Sequence, residues 1–156
     1  KSELFLYTTL VHVGNQEYKT AKKYISNAII DHNIKYLPLM RTIRLVRLIV
    51  FYEVQEHELI QYESRSITRS LSSPKEQTFK TERIILWFLN KRNIPILKKD
   101  REAFWEKLSP EIHELYNNKY ESQLLRLFDF TAWMESKIRK EKLSEVLRAR
   151  SSAKEC

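Results

Sequence analysis

Apolar residues recur every three or four positions along almost the whole chain, and no segment alternates between apolar and polar residues over the length of a strand. This spacing is typical of amphipathic α-helices and predicts an all-α protein. Eight helices are expected, over about 2–13, 17–31, 39–54, 57–71, 79–91, 98–116, 120–139 and 143–150. The last residues, 151–156, are expected to form a frayed tail.

Local signals predict how some of these helices begin and end. Gly14 is expected in the left-handed conformation that glycine often adopts after a helix. Pro110 lies inside the sixth predicted helix, and proline there removes a backbone hydrogen bond, so a kink or a restart with Ser109 as N-cap is expected. In the first helix, the spacing places four residues inward: Leu4, Leu6, Leu10 and Val11.

The links between the predicted helices are short, so neighbouring helices should form antiparallel hairpins. These hairpins span about 2–31, 38–71, 78–117 and 120–150. Hairpins of this length stack most simply as an α-solenoid, and a compact helical bundle is the alternative. We therefore expect residues 1–150 to form a single helical domain.

The first hairpin carries a repeat-like pattern. After Gly-Asn-Gln-Glu-Tyr at 14–18, small residues at Ala21 and Ala28 would let helices approach closely, with Ile25 between them. This pattern resembles the second half of a tetratricopeptide repeat, and Phe5 and Thr9 stand about where the first half has its bulky and small residues. The resemblance implies a helical-repeat fold over about one repeat.

Three further segments, 59–69, 79–83 and 128–138, resemble the C-terminal part of a group of bacterial tetratricopeptide-like proteins of unassigned function. The resemblance implies that the chain is the C-terminal portion of a longer bacterial protein. It also implies a role in binding other proteins or organising an assembly, and it transfers no catalytic residue.

Arginines on the third and fourth predicted helices are the candidate partner contacts: Arg41, Arg44, Arg47, Arg65 and Arg69. In tetratricopeptide-type hairpins the first helix lines the concave groove, so these side chains could bind an acidic peptide or its terminal carboxylate through bidentate hydrogen bonds. The alternative is structural, because the arginines could instead pair with Glu53 and Glu63 between helices.

Composition argues against an enzyme. One glycine cannot build a phosphate-binding loop or a nucleophile elbow. The single cysteine, Cys156, has no partner within the chain, and the four histidines lie on separate helices without ligand spacing. We expect no cofactor, no metal and no catalytic residue.

Phe128, Phe130 and Trp133, with Asp129 between them, suggest two interpretations. An aromatic cluster with one carboxylate can bind a cation or a sugar. Their helical spacing favours the other interpretation, which is packing in the core.

The net charge is +8, from 28 basic and 20 acidic residues. Most basic residues lie within a helical turn of an acidic one, which is typical of solvated helix surfaces. Regulatory nucleic-acid binding that uses this charge is the alternative function. The most apolar segment, 37–54, is interrupted by arginines, so we expect no membrane span and no membrane partner. Because the single cysteine can form no disulfide within the chain, we expect a reducing, cytoplasmic setting.

Overall fold

The structure is a computed structural model, and it describes residues 1–30, 37–71, 79–90 and 94–154. Every regular element in these ranges is an α-helix, which confirms the all-α prediction. The helices are α1 (Ser2–Gly14), α2 (Tyr18–Ile25), α3 (Pro38–Glu53), α4 (His57–Leu71), α5 (Lys80–Asn90), α6 (Lys98–Asn117), α7 (Lys119–Leu127), α8 (Phe130–Arg139) and α9 (Leu143–Lys154).

The chain divides into two compact units. Unit 1 comprises Lys1–Glu82 and unit 2 comprises Arg83–Cys156, so the boundary falls within α5. The single domain expected over residues 1–150 would comprise both units, and it stays a prediction.

In unit 1, α1 packs against α2, α2 against α3, and α3 against α4, and α1 also contacts α3. Because three residues join α1 to α2 and three join α3 to α4, each of these pairs is an antiparallel hairpin. α2 ends at Ile25, earlier than the sequence predicts. The core of the unit consists of fully buried aliphatic side chains, among them Leu6, Val13, Ala21, Ile25, Ile43, Leu48 and Ile49.

The two hairpin links have the same backbone geometry. Gln16 and Gln55 are left-handed, with φ of 62° and 61°. The following N–H group donates back to the helix in each link, from Glu17 to the carbonyl of His12 and from Glu56 to that of Phe51. The expectation for Gly14 is wrong, because α1 continues through Gly14 and Gln16 takes the left-handed position instead.

In unit 2, α6 packs against both α7 and α8, and α8 packs against α9. The prediction of a single helix over 120–139 is wrong. The chain leaves the helix after Leu127 and restarts at Phe130, because the Asp129 side chain accepts a hydrogen bond from the Ala132 N–H at 3.1 Å and caps α8.

Two other helices in unit 2 have ends that differ from the ends predicted from the sequence. α6 runs from Lys98 to Asn117 as one helix that includes Pro110, so the restart at Ser109 does not form. α9 continues to Lys154, past the expected start of the frayed tail at Ser151. Residues 155 and 156 lie outside the described residues.

Candidate functional site

The five arginines singled out from the sequence fall into two groups. Arg41 and Arg44 on α3 are only 5% and 6% exposed, and Arg47 is half-buried. Arg65 and Arg69 lie on the exposed face of α4. The structure therefore does not gather the five side chains on one accessible surface, and their partner-binding role stays a prediction.

Arg41 is held by a carboxylate. Its Nε and Nη2 donate to Oε1 and Oε2 of Glu82, each at 2.6 Å. The guanidinium also lies over the ring of Phe79, with its carbon 4.9 Å from the ring centroid. A buried, two-point ion pair of this kind fixes the geometry of both side chains.

Arg47 joins α3 to two other helices. Its Nη1 donates to Oε1 of Glu63 on α4 at 3.2 Å, and its Nη2 donates to the carbonyls of Ile25 and Ala28 at 3.3 and 2.7 Å. A cation is favourable at those carbonyls, because the C-terminus of α2 carries a partial negative charge. The contact between Arg47 and Glu63 is one of the ion pairs expected if the arginines have a structural role.

Arg44 differs from its two neighbours. Its Nη2 donates to the hydroxyls Ser70 Oγ at 3.0 Å and Ser66 Oγ at 3.4 Å, and no carboxylate among the described residues accepts from it. Its buried Nε, like that of Arg47, has no hydrogen-bond partner among those residues. Burial lowers the pKa of Arg44, and the nearby carboxylates of Glu63 and Glu82 oppose that effect. Arg44 is thus a buried cation held by hydroxyl groups.

An exposed apolar stripe follows the outer face of α1. It consists of Leu4, Tyr7 and Val11, which are 68%, 46% and 63% exposed. Their spacing places them on one face of the helix. Leu4 and Val11 were expected inward, and that expectation is wrong because Leu6 and Val13 fill the core from the opposite face.

An open groove of about 530 Å³ lies between the two hairpin links of unit 1. Tyr18 and Glu53 are among its lining residues and interact with each other. Burial, followed by the charge of Glu53 and its hydrogen bond, raises the pKa of Tyr18 to about 12. Tyr18 therefore stays a neutral hydrogen-bonding group at neutral pH.

A polar cluster in unit 2 is centred on Arg150 of α9. Its guanidinium donates to Oδ2 of Asp129 at 3.0 Å and to Oε2 of Glu135 at 2.6 Å. It also donates to the hydroxyls of Tyr116 and Thr131 at 3.0 and 2.7 Å. Burial is the largest cause that raises the pKa of Tyr116 to about 12. The cluster connects α6, α8 and α9.

The aromatic residues around Asp129 lie mainly in the core. Phe130 and Trp133 are fully buried, and Trp133 packs edge-on against Phe88 with 5.7 Å between ring centroids. Asp129 caps α8 and binds Arg150. These contacts are those of a packed helix, as the core interpretation predicts.

The described ranges contain no group of three potential metal ligands from His, Cys, Asp and Glu. None of their helices combines the length and the apolarity needed to cross a bilayer. Comparisons of the chain with models of protein families, with curated protein sequences and with solved structures found no match.

Proposed function

We propose that this chain is a non-enzymatic protein-binding module built from tetratricopeptide-like helical hairpins, and that it binds a partner segment along α1. The observation that carries the proposal is the exposed apolar stripe of Leu4, Tyr7 and Val11. Apolar side chains that lie together and remain largely exposed mark interaction surfaces.

The packing in unit 1 supports the helical-repeat part of the proposal. Successive helices contact one another, and the first helices of the two hairpins, α1 and α3, also touch. Gln16 and Gln55 stand at equivalent positions of two links with the same geometry. Stacked units of this kind present their first helices to a common groove.

The chemistry of the stripe indicates the kind of partner. Three apolar side chains over two helical turns match the apolar face of an amphipathic helix, which binds through residues at the same spacing. The buried arginines of α3 contribute to this surface only indirectly, because Arg41 and Arg47 fix α3 against its neighbours through Glu82 and Glu63.

A peptide-display selection against the chain tests the proposal. We expect selected peptides to carry apolar residues at helical spacing, and Leu4→Ser combined with Val11→Ser to weaken their binding at least about tenfold. Ile96→Ser combined with Leu97→Ser is the matched control, since it removes two exposed aliphatic side chains of unit 2. Equal binding by both double variants would exclude α1 as the binding surface.

A further inference from the structure

Unit 2 exposes a pair of aliphatic side chains immediately before α6. Ile96 is 84% exposed and Leu97 is 66% exposed, and we call these two residues the apolar prong. Arg101 Nη1 donates a hydrogen bond to the Ile96 carbonyl, and the Arg101 N–H donates to the Leu97 carbonyl at 3.0 Å. The backbone of the prong is thereby tied to the first turn of α6.

Basic side chains stand next to the prong. Lys98 and Lys99 are exposed and open α6, and they are followed by Asp100 and Arg101. The Lys98 side chain is 82% exposed, and the carboxylate paired with it, that of Glu102, is 4.0 Å away. The first turn of α6 therefore carries a surplus of positive charge beside two exposed aliphatic residues.

Trp87 extends this surface along α6. Its ring is stacked on Phe104 with 6.2 Å between centroids and 8° between planes, and Trp87 remains 44% exposed. Phe104 follows the N-cap Leu97 by seven residues, so Trp87 stands about two helical turns along α6 from the prong. Tryptophan favours the boundary between lipid and water because its ring is apolar and its N–H is polar.

We propose that the apolar prong inserts into the surface of an anionic lipid bilayer while Lys98 and Lys99 contact lipid phosphates. Exposed aliphatic residues, flanking lysines and a partly exposed tryptophan each favour contact with an anionic bilayer surface. We expected no membrane partner because the most apolar segment of the sequence is too interrupted to span a bilayer, and a peripheral contact needs no spanning segment. This contact is independent of the stripe on α1.

Vesicle co-sedimentation tests the proposal with phosphatidylcholine vesicles and with vesicles that also contain phosphatidylglycerol. We expect binding to the anionic vesicles only. Lys98→Gln combined with Lys99→Gln should weaken it about fivefold per lysine. Ile96→Ser combined with Leu97→Ser should weaken it about tenfold. Leu4→Ser combined with Val11→Ser is the matched control and should bind as the unmodified chain does.

Tryptophan fluorescence gives a second readout that needs no variant of the prong. Trp105 and Trp133 are buried, at 8% and 0% exposed, so a blue shift on adding anionic vesicles reports Trp87. The shift should disappear in Trp87→Phe. Absence of both sedimentation and blue shift, equal binding to both vesicle types, or unchanged binding by the prong variant would overturn the proposal.

Discussion

Arg41 and Glu82 form a two-point ion pair with both side chains 5% exposed, which joins α3 to the first turn of α5. Both charges of the pair therefore lie in the interior of unit 1. Removing one partner leaves the other charge buried and uncompensated, which is far more costly than removing both.

Arg41→Met should therefore lower the free energy of unfolding by about 3–5 kcal/mol. Arg41→Met combined with Glu82→Leu should recover most of that loss, because neither charge then remains in the interior. Urea unfolding of the two variants measures this difference. Arg65→Met, at an exposed position of α4, is the control and should change stability by less than about 0.5 kcal/mol. A double variant no more stable than Arg41→Met would contradict the prediction.

Arg44→Met should not lower the free energy of unfolding as Arg41→Met does. Arg44 is buried, yet the partners that bind it are the hydroxyls of Ser66 and Ser70. An apolar side chain of similar length avoids the desolvation cost without leaving a carboxylate unpaired, so stability should change by less than about 1 kcal/mol or increase. Thermal unfolding beside Arg41→Met makes the comparison, and a loss as large as that of Arg41→Met would show that Arg44 is paired after all.

Gly14→Ala should raise the free energy of unfolding by about 0.5–1 kcal/mol. Gly14 lies in the last turn of α1, its φ is not positive, and a Cβ there would meet nothing within 4 Å. Alanine favours the helix more than glycine does. The matched control is Gln16→Ala, which keeps a Cβ at the left-handed position and should bring no gain. Chemical unfolding compares the two, and a destabilising Gly14→Ala would contradict the helical assignment at this residue.

Arg150→Met should destabilise unit 2 by about 1–3 kcal/mol, because it leaves the carboxylates of Asp129 and Glu135 without their shared cation. Arg148→Met changes an exposed arginine of the same helix and should have an effect below about 0.5 kcal/mol. Near-ultraviolet circular dichroism during unfolding follows the packed aromatic side chains, among them Trp105, over which Arg150 lies. Equal effects of the two substitutions would show that the cluster does not hold α9.

Stability should fall between about pH 10 and pH 12 in a way that depends on Tyr18. Its pKa is 10.0 in the unfolded chain and about 12 in the fold, so the folded state holds this proton more tightly. The resulting stability, roughly 2 kcal/mol after a reduction for solvent screening at this partly exposed side chain, is complete below pH 10 and is lost as the pH rises through 12. Urea unfolding of Tyr18→Phe should show a shallower decline over this range. An identical decline in both proteins would contradict the burial of Tyr18.

The sequence predicts α4 residue by residue, because an uninterrupted amphipathic pattern lies between clear end signals. The sequence does not predict the break at Asp129, because the apolar spacing of α7 continues into α8. The helix is interrupted there because the Asp129 side chain caps the start of α8. The core face of α1 is predicted only in part, because apolar residues occur all around that helix: Leu6 is buried as expected, whereas Leu4 and Val11 are exposed. The pairing of Arg41 with Glu82 depends on tertiary packing between distant segments, and helical spacing alone does not predict it.

The stripe of Leu4, Tyr7 and Val11 is the central functional claim, and site-specific photo-crosslinking in cells tests it most directly. A benzoylphenylalanine in place of Val11 should yield a discrete protein adduct, and Leu4→Ser should remove it. The same photoreactive residue in place of Lys23, an exposed position on α2, should yield none. No adduct at position 11, or equal adducts at both positions, would contradict the account.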